Sequence, residues 1–208
     1  MPDESFAGVS PDAARRLLLA AVEAFAERGF HATTTRDIAG RAGMSPAALY
    51  IHYKTKEELL YQISKVGHER SVTTLTEAAG STESAPGRLA SAVRSFVHWH
   101  AAHHTTARVV QYELAALGPE HYTEILGLRH RCEETLRQVL EDGVASGDFR
   151  VSDTRGTTTA IMSLCVDVSR WYRPEGRRAP EDIGELYAEL ALRMVGCGQA
   201  HPGGERRS

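Results

Sequence analysis

The chain has 208 residues, 42% of them hydrophobic and 25% charged, with a formal net charge of −3. That is enough chain to bury a substantial core in one or two domains, and the composition is that of an ordinary soluble globular protein. No apolar run approaches the ~18 residues that cross a membrane, and the opening Met-Pro-Asp-Glu-Ser lacks the apolar stretch of a secretory signal.

In chain order, apolar residues recur at helical spacing between breaker-rich stretches. Ala14, Leu17, Leu18, Ala21, Val22 and Phe25 form the stripe of a first helix, capped by Ser10 with Pro11 at its first position, and ending near Arg28-Gly29. Thr34 or Thr35 caps a second helix, because a hydroxyl there satisfies a free backbone N–H. Ile38, Ala39 and Ala42 give that helix a narrow apolar face. Gly43 stands where a helix ends in the left-handed conformation that glycine enters without strain. Ser45 followed by Pro46 reads as the N-cap and first position of a third helix. Helix, tight Gly-containing turn and helix make a helix-turn-helix, whose second helix enters the major groove of DNA. Thr55 and Lys56 open a fourth helix, to about residue 78, carrying Leu59, Leu60 and Ile63.

Gly80-Ser81-Thr82-Glu83-Ser84-Ala85-Pro86-Gly87 is a loop by composition. Leu89, Val93, Phe96 and Val97 mark the next helix, and a long one runs from about Glu120 to Ser146. Ile161, Leu164, Cys165, Val168, Trp171 and Tyr172 stripe another, and Ile183, Leu186, Tyr187, Leu190 and Met194 a last. The helices near 153–172 and 181–196 are apolar over wide faces. Either they form half of a four-helix seam with a second copy, which is the favoured reading, or they face their own core. Roughly nine helices result. The expected organisation is all-α: a helix-turn-helix DNA-binding domain over 10–56, a linking helix over 55–78, a C-terminal bundle for ligand binding and dimerisation over 79–196, and a disordered tail over 197–208.

Charge supports this division mildly. Residues 11–70 hold nine Lys/Arg against seven Asp/Glu, a balance of +2, while the remainder carries −5. Contacting phosphates takes a few placed cations rather than a high total. Cys132, Cys165 and Cys197 are odd in number and widely spaced, so neither a disulfide framework nor a zinc site is expected, and a reducing cytoplasm is.

Thr34-Thr35-Arg36-Asp37-Ile38-Ala39, Ala42-Gly43-Met44-Ser45, Leu49-Tyr50-Ile51-His52-Tyr53 and Lys54-Thr55-Lys56-Glu57-Glu58-Leu59 resemble the tetracycline-repressor (TetR/AcrR) family of one-component regulators. Ala24-Phe25-Ala26-Glu27-Arg28-Gly29-Phe30 fits the same family, and the likeness covers about residues 12–60. The resemblance implies a homodimer on double-stranded operator DNA, each copy placing its third helix in one major groove. It implies that Thr35 contacts backbone, that Arg36 reads a base edge, and that Tyr50, His52 and Lys56 contact phosphates. Arg is suited to that reading because it binds guanine O6 and N7 bidentately. The start of the third helix, Ser45, Pro46, Ala47 and Ala48, offers apolar contact or close backbone approach, leaving Arg36 as the main polar reader. Leu49 and Tyr53 read as core anchors of the small module.

Beyond the motif, His98-Trp99-His100 with His103 and His104 is the most conspicuous cluster. On one helix His100, His103 and His104 would share a face, a possible metal arrangement. With no carboxylate or thiol beside them, and a helix break expected at Thr105, a pocket wall is the favoured reading and neither metal nor cofactor is expected. Ser169-Arg170-Trp171-Tyr172-Arg173 with Arg177 and Arg178 is similar to a stretch of acyl-coenzyme A-responsive family members. The alternative is a helix C-terminus carrying favourable cations. Helical phase selects Phe96, Trp99, His100, Tyr112, Leu128, Cys132, Met162, Val166 and Arg170 as candidate ligand-pocket residues. A repressor released by a small effector, an acyl-coenzyme A or another apolar or acidic metabolite, is the expected function. Gly-x-Ser-x-Gly, a phosphate loop and paired catalytic carboxylates are all missing, so an enzyme is not expected; a helical adaptor without DNA binding is the remaining rival.

Overall fold

A computed structural model describes residues 6–80 and 84–197. Among these the chain forms nine α-helices: α1 Asp12–Ala32, α2 Thr35–Arg41, α3 Pro46–His52, α4 Lys56–Ala79, α5 Ala85–Ala102, α6 His104–Tyr112, α7 Pro119–Ala145, α8 Thr154–Trp171 and α9 Pro180–Met194, with a short 3-10 turn over Leu114–Ala116. The expected tail lies outside the described residues from 198 onward. No helix among the described residues is long and apolar enough to cross a membrane.

Local chemistry sets the N-terminal module. Leu17, Leu18, Ala21 and Phe25 of α1 are buried together with Ile38 and Leu49, in a core continuous with that of the bundle. Helix α1 begins one residue later than expected, at Asp12; Pro11 takes the N-cap position with extended backbone, and no side chain caps it. Its regular part ends at Arg28, because Gly29 adopts φ 78°, ψ 163°, open to glycine but costly for any L side chain. Thr34 and Asp37 form a reciprocal capping box at the start of α2: the Asp37 N–H donates to Thr34 Oγ1 (3.1 Å) and the Thr34 N–H to Asp37 Oδ2 (2.9 Å). Gly43 at φ 67° reverses the chain, and Ser45 Oγ receives the Ala48 N–H at 3.2 Å to start α3.

Helix α4, 24 residues long and so about 36 Å, joins the module to the bundle. There α5 is the central helix, packed by α4, α7, α8 and α9. Gly184 of α9 lets that helix approach α5 closely: a Cβ there would stand 2.9 Å from the Arg94 carbonyl oxygen. Two expectations change. The helix carrying His98 and His100 ends at His103 (φ −110°, ψ 35°) rather than at Thr105, so His100, His103 and His104 do not share one helical face. Helix α9 packs chiefly on α5 rather than on α8, and Leu164, Trp171, Leu190 and Met194 stay 38–45% exposed.

Candidate nucleic-acid interface and ligand cavity

Helices α2 and α3 are held in one orientation by direct links. The Tyr50 and Thr35 hydroxyls lie 3.0 Å apart, joining the start of α2 to α3. The Tyr53 hydroxyl donates to the Ala14 carbonyl (3.3 Å), anchoring the end of α3 on α1. The Arg16 guanidinium donates to the Ala42 carbonyl at the turn.

The cations of the module are committed, with one exception. Arg15 pairs with Asp12, Arg28 with Asp37, and Arg41 with Glu23 and Glu27; the Lys54 ammonium donates to the Tyr50 carbonyl. Arg36, exposed on the first turn of α2, makes no ion pair or hydrogen bond among the described residues. A free guanidinium is what bidentate recognition of a base or phosphate calls for.

Lys56 stands corrected. Its ammonium donates to the carbonyls of Phe30 (2.6 Å) and Thr33 (2.7 Å), reaches that of His31 at 3.4 Å, and sits 4.3 Å over the Phe30 ring. Carbonyl lone pairs left free where α1 ends attract a cation, so Lys56 fastens α4 to α1 and its ammonium is already engaged. On α3, Ser45 is engaged as a cap, Pro46, Ala47 and Tyr50 are exposed, Ala48 is half-buried, and His52 is half-buried near the helix end. The sequence reading missed Ile51, 73% exposed, one turn beyond Ala47 on the same face. Its signal was only that helical phase; the face offered to a groove is apolar.

In the bundle a cavity of about 300 Å³ opens between α4, α5, α6, α7 and α8. Phe96, Trp99, His100, Tyr112, Cys132, Met162, Val166 and Arg170 line it. Leu128 does not: it is buried in the core, and its neighbour Arg129 lines the cavity instead, a difference of about 100° in helical phase. His68 and Ser71 of α4 also line it and were missed, because α4 read as a linker. The Arg170 guanidinium, expected to meet an anionic ligand, donates twice to Asp167 (2.7 and 2.9 Å).

Two imidazoles stand in this cavity. Nδ1 of His68 lies 2.8 Å from the Ser64 carbonyl and Nδ1 of His100 lies 2.8 Å from the Phe96 carbonyl. Burial pushes the pKa of both down to about 4, against the upward pull of those bonds and with the nearby Arg129 charge adding to the fall. Burial likewise pushes the Cys132 and Cys165 thiols up to about 12, so both stay protonated and pack as small apolar groups. The described residues hold no group of three or more His, Cys, Asp and Glu arranged for a metal ion.

The cavity and the module share α4, whose first turn is also bolted to α7. Glu57 accepts from the Gly118 N–H (2.8 Å) and lies 2.9 Å from His121 Nδ1. The His121 ring stacks on Tyr61 at 3.7 Å, and the Tyr61 hydroxyl donates to Glu124 (2.5 Å).

A helix-turn-helix module joined through one continuous helix to a hollow bundle is the build of a one-component transcriptional regulator. The family model for bacterial regulatory proteins of the tetR family matches residues 17–63, and that for the tetracyclin repressor-like C-terminal domain matches residues 82–195. The HTH-type transcriptional repressor KstR2 of Mycolicibacterium smegmatis is 30% identical over 195 residues, covering 88% of this chain and 91% of the relative. A solved tetR-family regulatory protein from Rhodococcus RHA1 superposes with a TM-score of 0.86 at 45% identity, covering 91% of this chain and all of the other. The ketosteroid transcriptional regulator KstR2 of Mycobacterium tuberculosis superposes with a TM-score of 0.82 at 26% identity, over 92% and 97% of the two chains. The chain belongs to the tetR family: it is a DNA-binding transcriptional regulator, not an enzyme.

Proposed function

We propose that the protein is a cytoplasmic homodimeric repressor, released from its operator when a small, largely apolar effector enters the bundle cavity. The observation that carries this reading is that α4 belongs to both sites at once: His68 and Ser71 line the cavity, while Lys56 at its first residue grips the end of α1. A ligand that fits better when α4 is displaced therefore favours a conformation in which the module has moved. Two reading helices must stand about 34–36 Å apart, or a multiple of that, to occupy successive major grooves. A modest tilt of α4 in each copy disturbs that spacing.

The second copy docks, in this reading, on the exposed apolar residues Leu164 and Trp171 of α8 and Leu190 and Met194 of α9. Thr35, Arg36, Tyr50 and His52, with the backbone and apolar face of α3 from Ser45 to Ala48, make up the DNA-contacting surface. The relative named KstR2 is a repressor, which supports repression here. An acyl-coenzyme A draws less support than a simpler hydrophobe, since Arg170 is already paired with Asp167. A gel shift of the purified protein on the intergenic DNA upstream of its own gene, repeated with candidate effectors, tests the proposal. A ligand that raises thermal stability yet leaves operator affinity unchanged contradicts the release step.

A further inference from the structure

We infer that the cavity takes an uncharged hydrophobe bearing a hydroxyl group, whose O–H donates to the ring nitrogen of His68 or His100. This rests on the cavity being the effector site and adds the chemical class of the effector.

A carbonyl only accepts, so Nδ1 of each ring must carry the hydrogen that donates to Ser64 or Phe96 at 2.8 Å. In a neutral imidazole the other nitrogen, Nε2, is then a bare acceptor. Both rings line the cavity, and burial keeps both neutral. The nearby hydroxyls already donate elsewhere: Ser71 to the Gly67 carbonyl (3.0 Å) and Ser169 to the Val166 carbonyl (2.9 Å).

The wall therefore offers two imidazole acceptors beside the apolar groups of Phe96, Met162 and Val166. A hydroxyl is the simplest uncharged group that donates a hydrogen bond, and its one hydrogen answers one of the two imidazoles. A carboxylate has no hydrogen to give and meets two lone pairs. Fixed charge in the wall gives an anion little net attraction, because Arg129 and Arg170 are balanced by Glu133 and Asp167. An ether has the shape but leaves both imidazoles unanswered, and leaving buried polar groups unpaired is what makes a site reject such an analogue.

The test uses the full chain and three probes built on one ring system: 2-naphthol, its methyl ether 2-methoxynaphthalene, and the anion 2-naphthoate, each titrated calorimetrically near neutral pH. The alcohol should bind about tenfold or more tighter than either analogue. At least one of His68→Phe and His100→Phe should reduce the alcohol-to-ether ratio to about threefold or less, a ratio unchanged in both overturning the inference, and Met162→Trp, which fills the cavity, should abolish binding. Equal or tighter binding of the ether or the anion overturns the inference, as does binding of none of the three, or alcohol binding that survives Met162→Trp. Should the histidine variants not fold, the ranking on the unmodified protein decides. Failure of the repressor reading shows separately, as absent operator preference with no probe added.

Discussion

Lys56 and Glu57 are consecutive residues at the start of α4, yet they hold different parts of the protein. The Lys56 ammonium caps the carbonyls of Phe30 and Thr33 at the end of α1, and the Glu57 carboxylate receives the Gly118 N–H at the start of α7. One helical turn thus joins the DNA-binding module to the bundle on two sides. Removing the Lys56 anchor by Lys56→Met should cost about 1–3 kcal/mol, or several degrees of melting temperature. The salt slope of DNA binding should stay the same, and a slope lowered by about one would show that the ammonium leaves α1 for a phosphate.

Arg36→Ala should act in the opposite way. Arg36 makes no bond or ion pair among the described residues, so its removal should leave the melting temperature nearly unchanged. Operator affinity should fall by about 1–3 kcal/mol, with random DNA affected less. Equal losses on operator and random fragments, measured by fluorescence anisotropy, would reduce Arg36 to a phosphate contact.

Glu57→Ala removes the first-turn tie from α4 to the start of α7 while leaving Lys56 in place and the Tyr61 contacts with His121 and Glu124 intact. Effector affinity should change little, because the cavity lies more than two turns along α4, at Gly67, His68 and Ser71. The loss of operator affinity caused by a saturating effector should shrink several-fold, since coupling needs both sites to bias the same element. Undiminished release in this variant shows that the Glu57 link carries none of the signal.

Acid should unfold the protein through His68 and His100. Both are held near pKa 4 in the fold and return to about 6.5 when unfolded. The unfolded chain therefore binds protons that the fold refuses. Stability is full above about pH 6.5 and is lost as pH falls toward 4, by roughly 3 kcal/mol per residue at the bottom of that window. Chemical denaturation at a series of pH values measures this, and His100→Leu should flatten the acid limb. An unchanged limb assigns the acid sensitivity to other groups.

The turn between α2 and α3 was legible in the sequence because its determinants are local: Thr34 with Asp37, Gly43, and Ser45 before Pro46 each act within four residues. The cavity was largely legible for a related reason, since helical phase places Phe96, His100, Met162 and Val166 without knowledge of their partners. What failed was non-local. The carbonyl partners of Lys56 lie 23–26 residues upstream, so the residue looked like a free cation beside a helix start. His68 belongs to a cavity wall assembled from five helices, and nothing near it in the chain marks that. The break at His103 carries neither Gly nor Pro, and Leu128 was misplaced by a single step of helical phase beside Arg129.

The central claim is that a twofold pair of α3 helices lies in successive major grooves of a specific DNA sequence. A quantitative gel shift with a footprint, on the DNA upstream of the protein's own gene at low ionic strength, tests it most directly. The expected result is a dimer protecting two half-sites with centres about 34–36 Å apart, or a multiple of it, and loss of that preference in Arg36→Ala. A monomer that prefers no fragment over random DNA would contradict it.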